Sequence, residues 1–161
     1  MSWLNQRVDD RLIHGQVVVA WGNALRPARL YVVDDQVAAS AWERDLLVSA
    51  APDSEVRVLT VAEAAAAWQA ERDAPGGAML VLRDLHTARA LVESGAAVPL
   101  FTIGGLHYAP GKDKIAEYVY LDEADREDAR ALLGRGVRLE IQDVPATRPR
   151  GLAALDPTVA P

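Results

Sequence analysis

The fold class this sequence predicts is α/β: a single three-layer α/β/α domain with an open, mostly parallel sheet of six to seven strands. Three observations predict it. Apolar bursts of strand length alternate with helix-length segments along most of the chain, the pattern of βα repeats. Bursts such as Leu30-Tyr31-Val32-Val33 and Met79-Leu80-Val81-Leu82 are apolar throughout, as strands covered on both faces are. Finally, 161 residues suit one domain with a core large enough to need no staple. Parallel neighbours need crossover connections, and those crossovers supply the two helical layers.

Each element has its own signal. Strand one, over 3–8, is interrupted by Asn5, Gln6 and Arg7. A helix opens at about Gly15, buries Val17, Val18, Trp21 and Leu25, and stops at Pro27. Strand two, over 30–33, ends in Asp34-Asp35, and a helix over about 36–50 carries Val37, Trp42, Leu46 and Leu47 up to the turn at Pro52-Asp53-Ser54. Strand three covers 56–59. Thr60 and Glu63 then have the spacing of a capping box and start an alanine-rich helix that runs to about Glu71 and breaks at Pro75-Gly76-Gly77. Strand four covers 79–82, Asp84 caps a helix closed by Gly95, and strand five covers 98–103. A polar loop with His107, Pro110, Gly111 and Lys112 leads to a strand over about 116–121, a helix capped by Asp122, and a last strand over 137–141. The alternating polarity of that last strand suggests an edge. Four of the nine prolines lie at or beyond Pro145. The domain is therefore placed at 1–146, with an irregular surface tail over 147–161.

Composition excludes several classes of function. A formal net charge of −6 with no lysine-rich or arginine-rich run argues against nucleic acid and anionic lipid as partners. With no cysteine there is neither a disulfide framework nor thiolate chemistry. No apolar run approaches a membrane span, and the start of the chain lacks the pattern of a secretory signal, so the expected compartment is the cytoplasm.

The chemistry is concentrated in Arg7-Val8-Asp9-Asp10-Arg11-Leu12-Ile13-His14-Gly15-Gln16-Val17-Val18. Phosphoryl transfer needs a nucleophile, a cation for the equatorial oxygens, and N–H donors such as those at a helix N-terminus. His14, the planar fork of Arg11 and the amides from Gly15 onward can supply all three. A helix N-terminus and a neighbouring arginine also keep an imidazole neutral while they attract phosphate. Gly15 lets phosphate approach the backbone. Gln16 can bond the phosphate or a partner, or face solvent. Asp9 and Asp10 can orient the second imidazole nitrogen, pair with Arg11, or form the turn. No spacing among these residues matches a metal motif, so the expected metal is none. His86 lies in an amphipathic helix and has no assigned role, and the role of His107 is open. Trp3, Trp21, Trp42 and Trp68 read as core or partner-facing anchors.

The run Asp9-Asp10-Arg11-Leu12-Ile13-His14-Gly15-Gln16-Val17 resembles the active-site signature of the enzyme IIB component of the mannose/fructose/sorbose-type sugar phosphotransferase system (PTS). Trp21, Val33-Asp34-Asp35-Gln36-Val37-Ala38, Thr102-Ile103-Gly104-Gly105-Leu106-His107, Gly136-Val137 and Gln142-Asp143-Val144-Pro145 fall in that family's order. The resemblance implies a phosphotransferase: a cytoplasmic phosphocarrier that takes a phosphoryl group from a phosphorylated IIA protein on the pros nitrogen of His14. It implies that the group passes to a sugar carried by a IIC/IID membrane permease, with no cofactor, and it leaves homo-oligomerisation open. Phosphate binding then falls to Arg11, Gly15 and Gln16, with Asp9, Asp10, Asp35, Gly104 and Gly105 in support. The resemblance also implies that strand five lies beside strand one, bringing Gly104 or Gly105 against the His14 loop. His14 is expected on a protruding loop with Leu12 and Ile13 available for docking. A regulatory phosphocarrier without transport is the alternative, followed by a receiver-like module phosphorylated on aspartate. The polar first strand, Asp34 and Ser40 depart from the family pattern.

Overall fold

The computed structural model describes residues 2–161. Its strands are β1 (Trp3–Asp9), β2 (Arg29–Val33), β3 (Glu55–Leu59), β4 (Ala78–Leu82), β5 (Leu100–Gly105), β6 (Asp113–Ala116), β7 (Val119–Leu121), β8 (Arg138–Ile141) and β9 (Arg150–Gly151). Seven of them form one sheet in the order β3-β2-β4-β1-β5-β8-β9, parallel except for the last pair. The α/β expectation and the strand count both hold.

Alternation along each strand feeds two cores. Val8, Tyr31, Val33, Leu80 and Leu82 face the larger one, under α4 (Val61–Glu71), α5 (Leu85–Glu93) and α6 (Glu123–Gly134). Leu30, Val32, Met79 and Val81 face the smaller one, with Val17, Trp21 and Val37. The chain leaves β1 toward β2 and leaves β5 toward β8, in opposite directions along the sheet. The crevice between β1 and β5 is thus a topological switch point, where open α/β sheets bind ligands.

Helix starts follow the local chemistry. Thr60 and Glu63 close a capping box, Asp84 accepts the N–H of Thr87, and Asp122 with Asp125 forms a second box.

Four expectations are corrected. The first helix opens as a π-helical turn, Gln16–Trp21, and becomes α-helical only in α1 (Gly22–Leu25). The helix over 36–50 is two, α2 (Asp35–Ala38) and α3 (Ala41–Ala50), because Ser40 is extended between them. At the sheet margin beside β3, α3 buries none of its side chains, and Trp42 is 69% exposed. Residues 116–121 do not join the sheet, since β8 occupies the place beside β5. Tyr118, with φ of 66°, turns the chain into a β6–β7 hairpin whose Tyr120 N–H donates to the Leu106 carbonyl. Finally, 147–161 is not an irregular tail. There β9 covers the edge of β8, followed by α7 (Leu152–Leu155) and a 3₁₀ turn, Pro157–Val159. Leu152 and Val159 are fully buried, and Asp156 accepts from Arg126 Nε at 2.8 Å. A two-residue strand carries no periodicity to read.

A buried carboxylate fastens α4 to the start of the sheet. Glu71 accepts from Ser2 Oγ (2.7 Å), Arg29 Nε (2.8 Å) and the Tyr31 hydroxyl (2.7 Å). Burial pushes its pKa up, but the bonds from Arg29, Tyr31 and Ser2 outweigh burial and bring it down to about 2. A fall from 4.5 to about 2 corresponds to about 3 kcal/mol of stability. Because the folded value is depressed, that stability is present above pH 4.5 and lost as pH falls toward 2. Glu71→Gln is therefore expected to cost up to about 3 kcal/mol in urea denaturation at pH 7, narrowing to roughly 1 kcal/mol near pH 2.5. A deficit unchanged between the two pH values would contradict this assignment.

Candidate active site

The C-terminal end of β1 builds the site from below. With Val8 turned into the larger core, Arg7 and Asp9 share the opposite face, and both are fully buried. Arg7 donates from Nη1 to the Gln142 carbonyl (3.0 Å) and from Nη2 to the Asp143 carbonyl, and its guanidinium lies 4.8 Å from the centroid of the Trp21 ring. Trp21 in turn donates from Nε1 to the Asp143 carbonyl (2.7 Å). Burial lowers the Arg7 pKa to about 10 against the opposing pull of Asp9 and Asp143, so the group stays charged at neutral pH. Its Nε has no hydrogen-bond partner among the described residues and lies 3.9 Å from Asp9.

Asp9 is the hub of the site. It accepts the backbone N–H of Arg11 (3.1 Å), Arg11 Nε (3.2 Å) and Arg11 Nη2 (3.3 Å), and its Oδ2 lies 3.6 Å from His14 Nε2. Arg11 Nη2 also donates to Gln16 Oε1 (3.0 Å).

The loop between Asp9 and Gly15 is held down from its apolar side. Leu12 and Ile13 are buried in the smaller core, so the expectation that they are free for docking does not hold. Leu12 sits in the left-handed region, φ 55°, a conformation that costs a non-glycine residue about 1 kcal/mol. It aims its carbonyl at His14 Nδ1, 2.9 Å away. Nδ1 is therefore the protonated nitrogen, and the buried Nε2 has no hydrogen-bond partner among the described residues. The His14 side chain is 16% exposed, at the surface without protruding. A Cβ at Gly15 would meet nothing, which leaves the backbone there open to an anion.

Strand β5 supplies the other wall. Asp9 pairs with Gly105, and the Asp10 N–H donates to the Gly105 carbonyl (3.0 Å). Gly104 lies against the Arg7 guanidinium and Gly105 against Arg11 and Asp9, so both glycines adjoin the His14 loop. Asp10 accepts from His107. Asp35 is not part of this cluster: its carboxylate accepts the Val61 N–H (2.8 Å) at the start of α4. Asp34 caps α2 and pairs with Arg83 at 2.8 Å, so both carboxylates of the receiver-like alternative are committed to structural partners. A shallow groove runs from Asp10, Arg11 and Leu12 past Val37 to Trp42 and Leu46, with Arg83 on its wall.

Two cations were not legible as site residues. Arg7 reads in sequence as an interruption of a strand, although an arginine two residues before a carboxylate is its only signal. Arg83 follows a strand with no motif around it.

A doubly wound α/β domain that brings an imidazole, a guanidinium and open backbone amides together at its switch point has the arrangement of an anion-binding site. The chain belongs to the sorbose subfamily of PTS IIB components: the family model described as "PTS system sorbose subfamily IIB component" matches residues 4–156. It is 35% identical over 142 residues to the N-acetylgalactosamine-specific phosphotransferase enzyme IIB component 1 of Escherichia coli, covering 86% of this chain and 89% of that protein. It is 34% identical over 139 residues to the E. coli mannose-specific EIIAB component, 86% of this chain but only 43% of that longer protein. The crystal structure of the IIBSor domain of the sorbose permease from Klebsiella pneumoniae superposes with a TM-score of 0.86 at 28% identity, covering 96% of each chain. The described residues contain no helix long and apolar enough to cross a membrane.

Proposed function

We propose that this chain is a cytoplasmic histidine phosphocarrier of a sugar PTS: it accepts a phosphoryl group from a phosphorylated IIA protein on His14 and transfers it to a sugar during uptake through a IIC/IID permease. The observation that carries the reading is the Asp9–Arg11–His14 constellation at the β1/β5 switch point, in a chain of the sorbose IIB subfamily. In the accepting step a donor N–P bond breaks as a His14 N–P bond forms, so catalysis is positioning and charge stabilisation. Arg11 uses Nε and Nη2 on Asp9 and Gln16, which leaves Nη1 for phosphoryl oxygens. Gly15 and the first amides of the helix supply N–H donors. Gln16 holds the Arg11 fork, and Gly104 and Gly105 let β5 close against Arg7 and Asp9.

The resting ring holds Nδ1 on the Leu12 carbonyl and Nε2 against Asp9. Acceptance on Nδ1 requires the ring to turn away from Leu12 and its proton to exchange to Nε2, where the Asp9 carboxylate 3.6 Å away can receive the N–H; the attacking nitrogen is thereby freed, at the cost of one hydrogen bond worth about 1 kcal/mol.

The test is incubation with phosphorylated IIA protein and mapping of the label. A phosphoryl group on His14 that is stable in alkali and lost in acid supports the reading, whereas an alkali-labile acyl phosphate would overturn it. Arg11→Lys keeps the charge and loses the fork, so at limiting donor its acceptance rate is expected to fall about tenfold, or about 1.4 kcal/mol of barrier, with the thermal melt unchanged. An unchanged rate would remove Arg11 from the mechanism.

A further inference from the structure

We propose that His107 is a positioning residue for the phosphocarrier loop, acting through Asp10; this rests on His14 being the carrier. His107 lies on the segment that leaves β5, and its ring Nδ1 is 2.6 Å from Asp10 Oδ1 while its backbone N–H donates to Asp10 Oδ2 at 2.8 Å. The Asp10 N–H donates in turn to the Gly105 carbonyl at 3.0 Å. Three hydrogen bonds therefore tie the residue between Asp9 and Arg11 to the end of β5. Since a carboxylate only accepts, Nδ1 of His107 carries the hydrogen.

The consequence for the site is electrostatic and geometric. Asp10 adjoins Arg11, and a carboxylate free to swing would compete with Asp9 for the guanidinium and repel an arriving phosphoryl anion. With both oxygens of Asp10 occupied by His107, the Arg11 fork keeps its orientation on Asp9 and Gln16. Both side chains of the latch are partly exposed, 45% for His107 and 31% for Asp10, so its removal acts on the loop and not on the core.

The experiment measures the first-order rate of His14 phosphorylation at saturating phosphorylated IIA protein, the donor KM, and the melting temperature. His107→Ala is expected to lower the saturated rate about fivefold, what one partly exposed charge-assisted hydrogen bond supplies, with KM and the melt near wild type. His107→Asn places an amide N–H where Nδ1–H stood and is expected to restore the rate to within twofold. Asp10→Ala removes the latch together with the competing carboxylate, so it is expected to lose no more rate than His107→Ala, and the double variant to be no slower than His107→Ala. A wild-type rate in His107→Ala, a slow but well-folded His107→Asn, or additive losses in the double variant would each overturn the inference. If the wild-type protein takes no label on His14, the phosphocarrier reading itself fails; label on the wild type with His107→Ala unaffected defeats the latch alone.

Discussion

His14→Ala is expected to take no phosphoryl label from phosphorylated IIA protein, a loss of at least about a thousandfold, because the variant has no nucleophile to form the covalent intermediate. The chain has three histidines, and the other two are poorly placed to substitute. His86 stands on α5, 82% exposed and 3.6 Å from Asp128, away from the switch point. His107 has its Nδ1 engaged by Asp10, without the guanidinium and helix start that flank His14. The fold is expected to survive, since Leu12 and Ile13 anchor the loop from the smaller core and the imidazole contributes one hydrogen bond to it. Initial rates of labelling, with the melt as control, measure the effect. A folded His14→Ala protein that accepts label at even a hundredth of the wild-type rate would mean that another group carries the phosphoryl.

How far the sequence could be read depended on whether the signal was local. Caps are local, so Thr60-Glu63, Asp84 and Asp122 stand in the structure where residue type and spacing put them. The His14 loop was legible because nucleophile, cation and glycine are consecutive, and Gly104-Gly105 because the resemblance set β5 beside β1. What was lost depends on partners distant in the chain. Arg7 seemed only to weaken a strand, because its partners, the carbonyls of Gln142 and Asp143, lie some 135 residues away. Leu12 and Ile13 looked available for docking because nothing local shows that a left-handed turn at Leu12 folds both side chains into the core. Asp35 follows a strand end in sequence, yet it bonds to the start of α4. The segment 147–161 was read from its prolines, while Leu152 and Val159 were filling the larger core.

Gly104→Ala is expected to destabilise the protein by about 3–5 kcal/mol, and the reason is Arg7. A Cβ at Gly104 would lie 2.0 Å from Nη2 and 2.3 Å from Cζ of that guanidinium, which is far inside contact. Arg7 cannot step aside, since it is pinned by two carbonyls on one side, by the Trp21 ring, and by Asp9 beneath the site. Either β5 moves away from β1 or the guanidinium leaves its partners while remaining buried, and an unpaired buried charge is the costlier outcome. Gly105→Ala is the control, because its Cβ would approach Arg11 and Asp9 no closer than 3.4 Å, and a cost below about 1 kcal/mol is expected. Urea denaturation of both variants measures the difference. The cause is isolated by repeating Gly104→Ala in an Arg7→Met background, where the methyl group has room and most of the penalty should vanish as non-additivity. A Gly104→Ala protein within about 1 kcal/mol of wild type, or a penalty undiminished in the Arg7→Met background, would show that Arg7 is not the fixed cation under Asp9 on which the geometry of Arg11 and His14 rests.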